Sequence, residues 1–231
     1  MNQLTVGEIA AETPAAVRVF EKYRIEYCCG GNRPLGEVCQ ERGISTEAVL
    51  SELEQIGRRP DAARDWAKAS LADLIEHILS THHEYLKSEL PALSARLARV
   101  IEAHRAAHSD ILLPLLQVFD GLREELTAHM RKEEMILFPA IRDLETARRE
   151  GGSPAATPFG AIENPIRMMV MEHDSAGHAL AEMRRLTEDY TPPADACATF
   201  RALYQGLEQM EADLHQHIHL ENNILFPRAV Q

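Results

Sequence analysis

From about residue 70 onward, apolar side chains recur every three or four positions, the pattern of helices that bury one stripe. It predicts four long helices, over roughly 70–106, 111–147, 163–189 and 196–226. The breaks carry turn chemistry. Glycine, serine and proline cluster over 151–158, Asn164-Pro165 reads as an N-cap followed by proline at N1, and Pro192-Pro193 precedes the fourth helix. Pro91 is expected to kink the first. Four antiparallel helices joined in this way make a four-helix bundle the natural architecture. Residues 1–57 read instead as several short helices. Thr5 and Glu8 form a capping-box pair, Thr13-Pro14 reads as N-cap and N1, and Gly43 with Ser45 marks a stop and restart. Between them Tyr27-Cys28-Cys29-Gly30-Gly31-Asn32 reads as a turn, its glycines and asparagine supplying positive-φ positions. The polar stretch 57–61 is read as a linker. The expected fold class is all-α, with a small helical domain over 1–58 and a bundle over 67–231.

The strongest pattern is an internal repeat. His129, Glu133, Ile136, Leu137, Phe138 and Pro139 recur as His217, Glu221, Ile224, Leu225, Phe226 and Pro227, each at the offset 217 − 129 = 88. His83-Glu84 matches His173-Asp174 at 173 − 83 = 90. The bundle therefore reads as two copies of one helical hairpin, each giving one His from its first helix and a His-x-x-x-Glu from its second. In the second helix the stripe runs Phe119, Leu122, Leu126, His129, Glu133, Ile136, Leu137, Ala140; in the fourth, Leu203, Leu207, Met210, Leu214, His217, Glu221, Ile224, Leu225. His and Glu thus take places otherwise held by Leu or Ile, and they point inward. His173 lies on the stripe of the third helix. In the first, periodicity would centre His82 and leaves the choice open; the repeat alignment favours His83.

Composition narrows the function. Among 231 residues, 36 acidic against 24 basic side chains give a net charge of −12 and a pI near 5.4, which argues against nucleic acid or an anionic membrane surface as partner. With 45% hydrophobic residues the chain can bury a real core, and at 5% aromatics with few β-branched runs it favours helix. No apolar window long enough to span a bilayer occurs and the first residues do not resemble a signal peptide, so a cytoplasmic protein is expected. The four cysteines do not form a secreted disulfide pattern. Cys39 and Cys197 fit no pattern. The eleven histidines are the unusual count.

Inward carboxylates and imidazoles cost several kcal/mol each unless compensated. A metal supplies that compensation. A lone inward His is as commonly a hydrogen-bonded core residue as a ligand, but six such residues on four helices obeying one repeat point to a metal site. Four His and two Glu exceed one tetrahedral zinc, and calcium or magnesium would not use four imidazoles. Two metal ions fit the set better, with iron the favoured metal. If Glu133 and Glu221 both bridge, each ion receives two His and two carboxylate oxygens, and an oxo or hydroxo bridge leaves one position for O₂ or NO. Glu125 and Glu172 lie near the inward faces as residues that could orient ligands or carry protons. His77, His82, His178, His215 and His219 are read as solvated or supporting. His104 and His108 read as charge placed near a helix C-terminus, or as a second polar patch.

With these residues in hand, the chain resembles the iron-sulfur cluster repair di-iron proteins, the repair of iron centres (RIC) family. Its marks are Tyr27-Cys28-Cys29-Gly30-Gly31, His129-x-x-x-Glu133 and His217-x-x-x-Glu221 each followed by Ile-Leu-Phe-Pro, and Glu172-His173-Asp174. The resemblance implies a hemerythrin-like bundle with two non-haem irons, oxo- or hydroxo-bridged and held by His83, His129, Glu133, His173, His217 and Glu221, the Glu bridging. It implies repair of iron-sulfur clusters damaged by oxidative or nitrosative stress, with damaged iron-sulfur proteins as partners and iron supply as the favoured role. Cys28 and Cys29 would accept persulfide, iron or electrons. The alternatives are a di-iron NO reductase or other oxidoreductase, and an O₂ or NO sensor. A homodimer is left open.

Overall fold

The structure is a computed structural model that describes residues 4–57, 65–152 and 159–231. The expected linker residues 58–61 and the loop residues 153–158 lie outside it. The described residues are helical, save for turns and one isolated bridge between Thr5 and Pro34. None of the described helices is long and apolar enough to cross a membrane.

The chain divides into two compact units. The first comprises Met1–Ile78, Ala140–Glu163 and His215–Gln231. Its short helices are α1 (Val6–Glu12), α2 (Ala16–Lys22), α3 (Leu35–Glu41), α4 (Thr46–Gly57) and α5 (Leu71–His77). The capping box at Thr5 and Glu8 forms as expected. Gly43 stops α3 at φ 65°, and the Ser45 hydroxyl accepts from the Ala48 N–H to start α4. The expected N-cap at Thr13 does not form: Thr13 closes α1, and α2 begins at Ala16 without a side-chain cap. Val6, Ile9, Phe20, Ile25, Leu35 and Leu53 pack into a core of their own.

The turn over 27–32 is present, but not for the expected reason. Neither Gly30, Gly31 nor Asn32 has positive φ. Gly31 is needed for close approach: a Cβ there would lie 2.5 Å from the Tyr27 carbonyl oxygen and 3.1 Å from Gly7 Cα. The Gly7 N–H donates to the Gly31 carbonyl at 2.7 Å, so two bare backbones meet face to face.

The second unit comprises Leu79–Pro139 and Asn164–Leu214. Helix α6 (Glu84–Lys132) turns back on itself at His108, where φ −134° and ψ 26° leave helical space. His83 and Glu133, each 25 residues from that break, come within 3.4 Å. The break between the first two helices therefore falls where the pattern put it. Pro91 keeps helical dihedrals inside α6, so the expected kink there is not what redirects the chain. Leu86, Leu93, Leu97, Leu115 and Phe119 form the buried stripe of the folded-back helix. The remaining helices are α7 (Phe138–Glu150), α8 (Glu163–Leu186), α9 (Ala198–Leu220) and α10 (Phe226–Val230).

Among the described residues three segments are π-helical: Ile78–His83, Glu133–Leu137 and Glu221–Leu225. The last two keep the repeat offset, 221 − 133 = 88, so the backbone irregularity repeats with the sequence. In each the N–H five residues on, Phe138 or Phe226, donates to the carbonyl of the Glu. Pro139 and Pro227 follow directly. A proline there withholds the N–H that the carbonyl four residues back requires and presses its ring against it, which favours the wider turn.

Candidate metal centre

A π turn adds one residue to the period and so rotates every later side chain. That is how His83, and not its buried neighbour His82, comes to face Glu133: the turn Ile78–His83 shifts the phase between Ile78 and Leu86. His82 is buried too, not solvated, with its Nδ1 2.9 Å from Asp213. Ile136, in the turn after Glu133, is 48% exposed against its expected inward place, while Leu137 and the repeat partner Ile224 are buried.

His83, His129, Glu133, His173, His217 and Glu221 are all buried. Within the second unit, His83 Nε2 lies 3.4 Å and His129 Nε2 3.3 Å from Glu133 oxygens, and His173 Nε2 lies 3.0 Å from His129 Nε2. On the turn from α9, His217 Nε2 stands 3.1 Å from Glu221. Within the second unit two sets of donors result, Glu133 with His83 and Glu133 with His129 and His173, one Glu133 oxygen facing His83 and the other His129.

Carboxylates outside these sets fix the imidazoles. His83 Nδ1 is 2.8 Å from Glu134 and His129 Nδ1 is 2.8 Å from Glu172. With Nδ1–H donated outward, each Nε2 presents its lone pair inward, toward Glu133 oxygens that are also acceptors. Acceptors facing acceptors at 3.3–3.4 Å in a buried place call for a cation between them. Metal–nitrogen and metal–oxygen bonds of about 2.0–2.2 Å leave donors at such separations. The donor set therefore fits a metal. Burial pushes the Glu134 and Glu172 carboxyls up, but bonds from Lys87 and His83, and from Lys132 and His129, outweigh it and hold both below the usual carboxylate range. Glu125 is placed elsewhere: it is exposed and accepts from the Ser175 hydroxyl at 3.0 Å. Glu134 carries the orienting contact that sequence reasoning missed. Its only signal was adjacency to Glu133.

In the first unit, the double-cysteine turn meets the segment that carries Glu221. Asn223 Nδ2 donates to the Tyr27 carbonyl at 3.0 Å and lies 3.0 Å from His219 Nδ1. The buried Tyr27 ring sits edge-on to His219, 5.6 Å between centroids. His219 is buried rather than solvated, and burial lowers its pKa to about 4, so it is neutral. Glu26 Oε1 accepts from the N–H groups of Cys28 and Cys29 at 2.7 and 3.0 Å and from Cys28 Sγ at 2.8 Å. The bond with Cys29, burial and the Glu26 charge push the Cys28 thiol well above its ordinary pKa. The two sulfurs are 3.8 Å apart, not joined, and with Glu26 they form a third set of possible metal ligands.

An all-α chain whose buried His and Glu converge in this way defines a cation-binding helical protein. Residues 74–229 match the Hemerythrin HHE cation binding domain, and residues 2–57 match a Domain of Unknown function (DUF542). The chain is 37% identical over 225 residues to an iron-sulfur cluster repair protein YtfE of Citrobacter koseri, covering 97% of this chain and 96% of the relative. It is 36% identical, with the same coverage, to the proteins of that name from Salmonella schwarzengrund and an Enterobacter species. The chain belongs to the iron-sulfur cluster repair family with a hemerythrin-like domain.

Proposed function

We propose that this chain holds two iron ions on His83, His129, Glu133, His173, His217 and Glu221, and that it supplies iron to iron-sulfur clusters damaged by oxidative or nitrosative stress. The observation that carries the reading is Glu133, buried, with one oxygen 3.4 Å from His83 Nε2 and the other 3.3 Å from His129 Nε2. A carboxylate shared in this way favours two bridged ions over one, and imidazole with carboxylate suits iron. Iron bound there supplies an exchangeable, redox-active cation.

The chain's own groups do the rest. Glu134 and Glu172 keep His83 and His129 in the tautomer that offers Nε2. Lys87, 2.9 Å from Glu134, and Lys132, paired with Glu172, keep those carboxylates charged. Cys28 and Cys29 serve as the relay for outgoing iron. Cys28 must lose its proton to bind a cation, and Glu26 Oε1 at 2.8 Å is placed to take it. The boundary between a cysteine-bearing domain, 1–58, and a metal-binding domain, 67–231, belongs to the same proposal, as does a cytoplasmic site of action. Iron-sulfur proteins are the expected clients because the named relatives carry that role in their names.

The test is anaerobic. The ferrous-loaded chain is mixed with an apo iron-sulfur acceptor, and in parallel the reduced chain with NO. Stoichiometric transfer to the acceptor, slowed at least about tenfold in Cys28→Ser/Cys29→Ser at unchanged iron content, is the expected result. Catalytic N₂O formation without iron transfer would overturn it in favour of an NO reductase.

A further inference from the structure

Four side chains that the metal centre does not use gather where α6 turns back. His104 and His108 are four residues apart on one face of α6, with ring centroids 6.2 Å apart. Opposite them, Asp195 and Cys197 lie just ahead of α9. His108 Nε2 stands 2.9 and 3.1 Å from the two Asp195 oxygens, and His104 Nε2 stands 3.2 Å from Cys197 Sγ. One ligand atom each of His104, His108 and Asp195 lie within 4.8 Å of one another. All four residues belong to the second unit and none belongs to the sets around Glu133.

We propose that His104, His108, Asp195 and Cys197 form a separate site for a divalent cation of the zinc class. Two imidazoles, one carboxylate and one thiolate are the donors a tetrahedral zinc takes, and bonds of about 2.0–2.3 Å place such donors roughly 3.3–3.8 Å apart. The His–Asp and His–Cys separations, 2.9–3.2 Å, lie just under that range, so an ion entering between the donors spreads each pair by about a few tenths of an ångström. The sulfur disfavours magnesium and calcium, which take oxygen. A salt bridge and a thiol hydrogen bond side by side would account for each pair alone. They do not account for both imidazoles turning Nε2 to the chelating side chains of one short segment. The ring at His108 is held where α6 leaves helical space, so the bound cation ties the fold-back to the start of α9. Asp195 and Cys197 are exposed, so the cation exchanges with solvent, unlike one held on the buried His83 and Glu133.

The full chain is titrated with Co²⁺ under reducing conditions. Cobalt on a thiolate gives a near-ultraviolet sulfur-to-metal charge-transfer band, which the His and Glu set around Glu133 cannot give. Because Cys28, Cys29 and Glu26 could also hold cobalt through sulfur, the band is read in the full chain carrying Cys28→Ser/Cys29→Ser, where one thiolate-bound cobalt per chain is expected at saturation. In that chain it should survive His129→Ala, disappear with Cys197→Ser, and weaken at least about tenfold in cobalt affinity with His104→Ala. It should be bleached by Zn²⁺. Far-UV circular dichroism of the surface variant Cys197→Ser establishes that the fold is kept. Absence of the band from the Cys28→Ser/Cys29→Ser chain, or its persistence there once Cys197→Ser is added, overturns the proposal.

Discussion

At the residue scale the account rests on which nitrogen each imidazole turns inward. Glu134 bonds His83 Nδ1 and Glu172 bonds His129 Nδ1, so removing either charge frees the ring to rotate or change tautomer. Glu134→Gln is expected to weaken iron retention about 10- to 100-fold in chelator competition while helicity is unchanged. Unaltered retention would make Glu134 a surface partner of Lys87 and nothing more. A second residue-scale expectation concerns Gly31, whose missing side chain lets Tyr27 O and Gly7 Cα approach. Gly31→Ala forces those backbones apart and should cost roughly 1–3 kcal/mol, read as a lowered denaturation midpoint. A neutral outcome would mean that the turn yields easily.

At the element scale the three π turns decide what a straight α-helical reading can and cannot find. The 3.6-residue period located α6, α8 and α9, the fold-back near residue 108, and the inward face of His129, His173 and His217. It preferred His82 because a wider turn adds a residue without leaving a mark in hydrophobic spacing, and it misplaced Ile136 while placing the repeat partner Ile224 correctly. The repeat alignment favours His83 because it compares residue with residue and does not depend on period. The proline after each Phe was visible at residues 139 and 227, yet proline is more often a sign of a stop than of a widened turn. Glu134 and the gathering around Cys197 were not legible, since both need tertiary contacts between residues 51 and 93 positions apart. If the turn Ile78–His83 aims His83, deleting the exposed Ser80 should restore an α period and rotate His83 from the cluster. Far-UV circular dichroism should stay helical while iron per chain falls by at least half; full iron content in the deletion variant would contradict the role given to the turn.

At the scale of the whole molecule, metal binding and stability are linked. A cation that binds only the folded chain stabilises it by about 2.7 kcal/mol at one hundred times its dissociation constant. Ferrous iron should therefore raise the melting temperature of the wild-type chain and leave a His129→Ala/Glu133→Ala variant unmoved, in scanning calorimetry under anaerobic conditions. The Asn223 contact to Tyr27 joins the double-cysteine turn to the segment bearing Glu221, both within the first unit. The most direct measurement is an anaerobic ferrous titration of Glu133→Gln against the parent chain, both carrying Cys197→Ser so that the cluster at His104 does not contribute. The parent should take up two equivalents, and Glu133→Gln should lose tight binding of both, because that carboxylate belongs to both donor sets. Retention of one equivalent at the parent's affinity would contradict the shared centre.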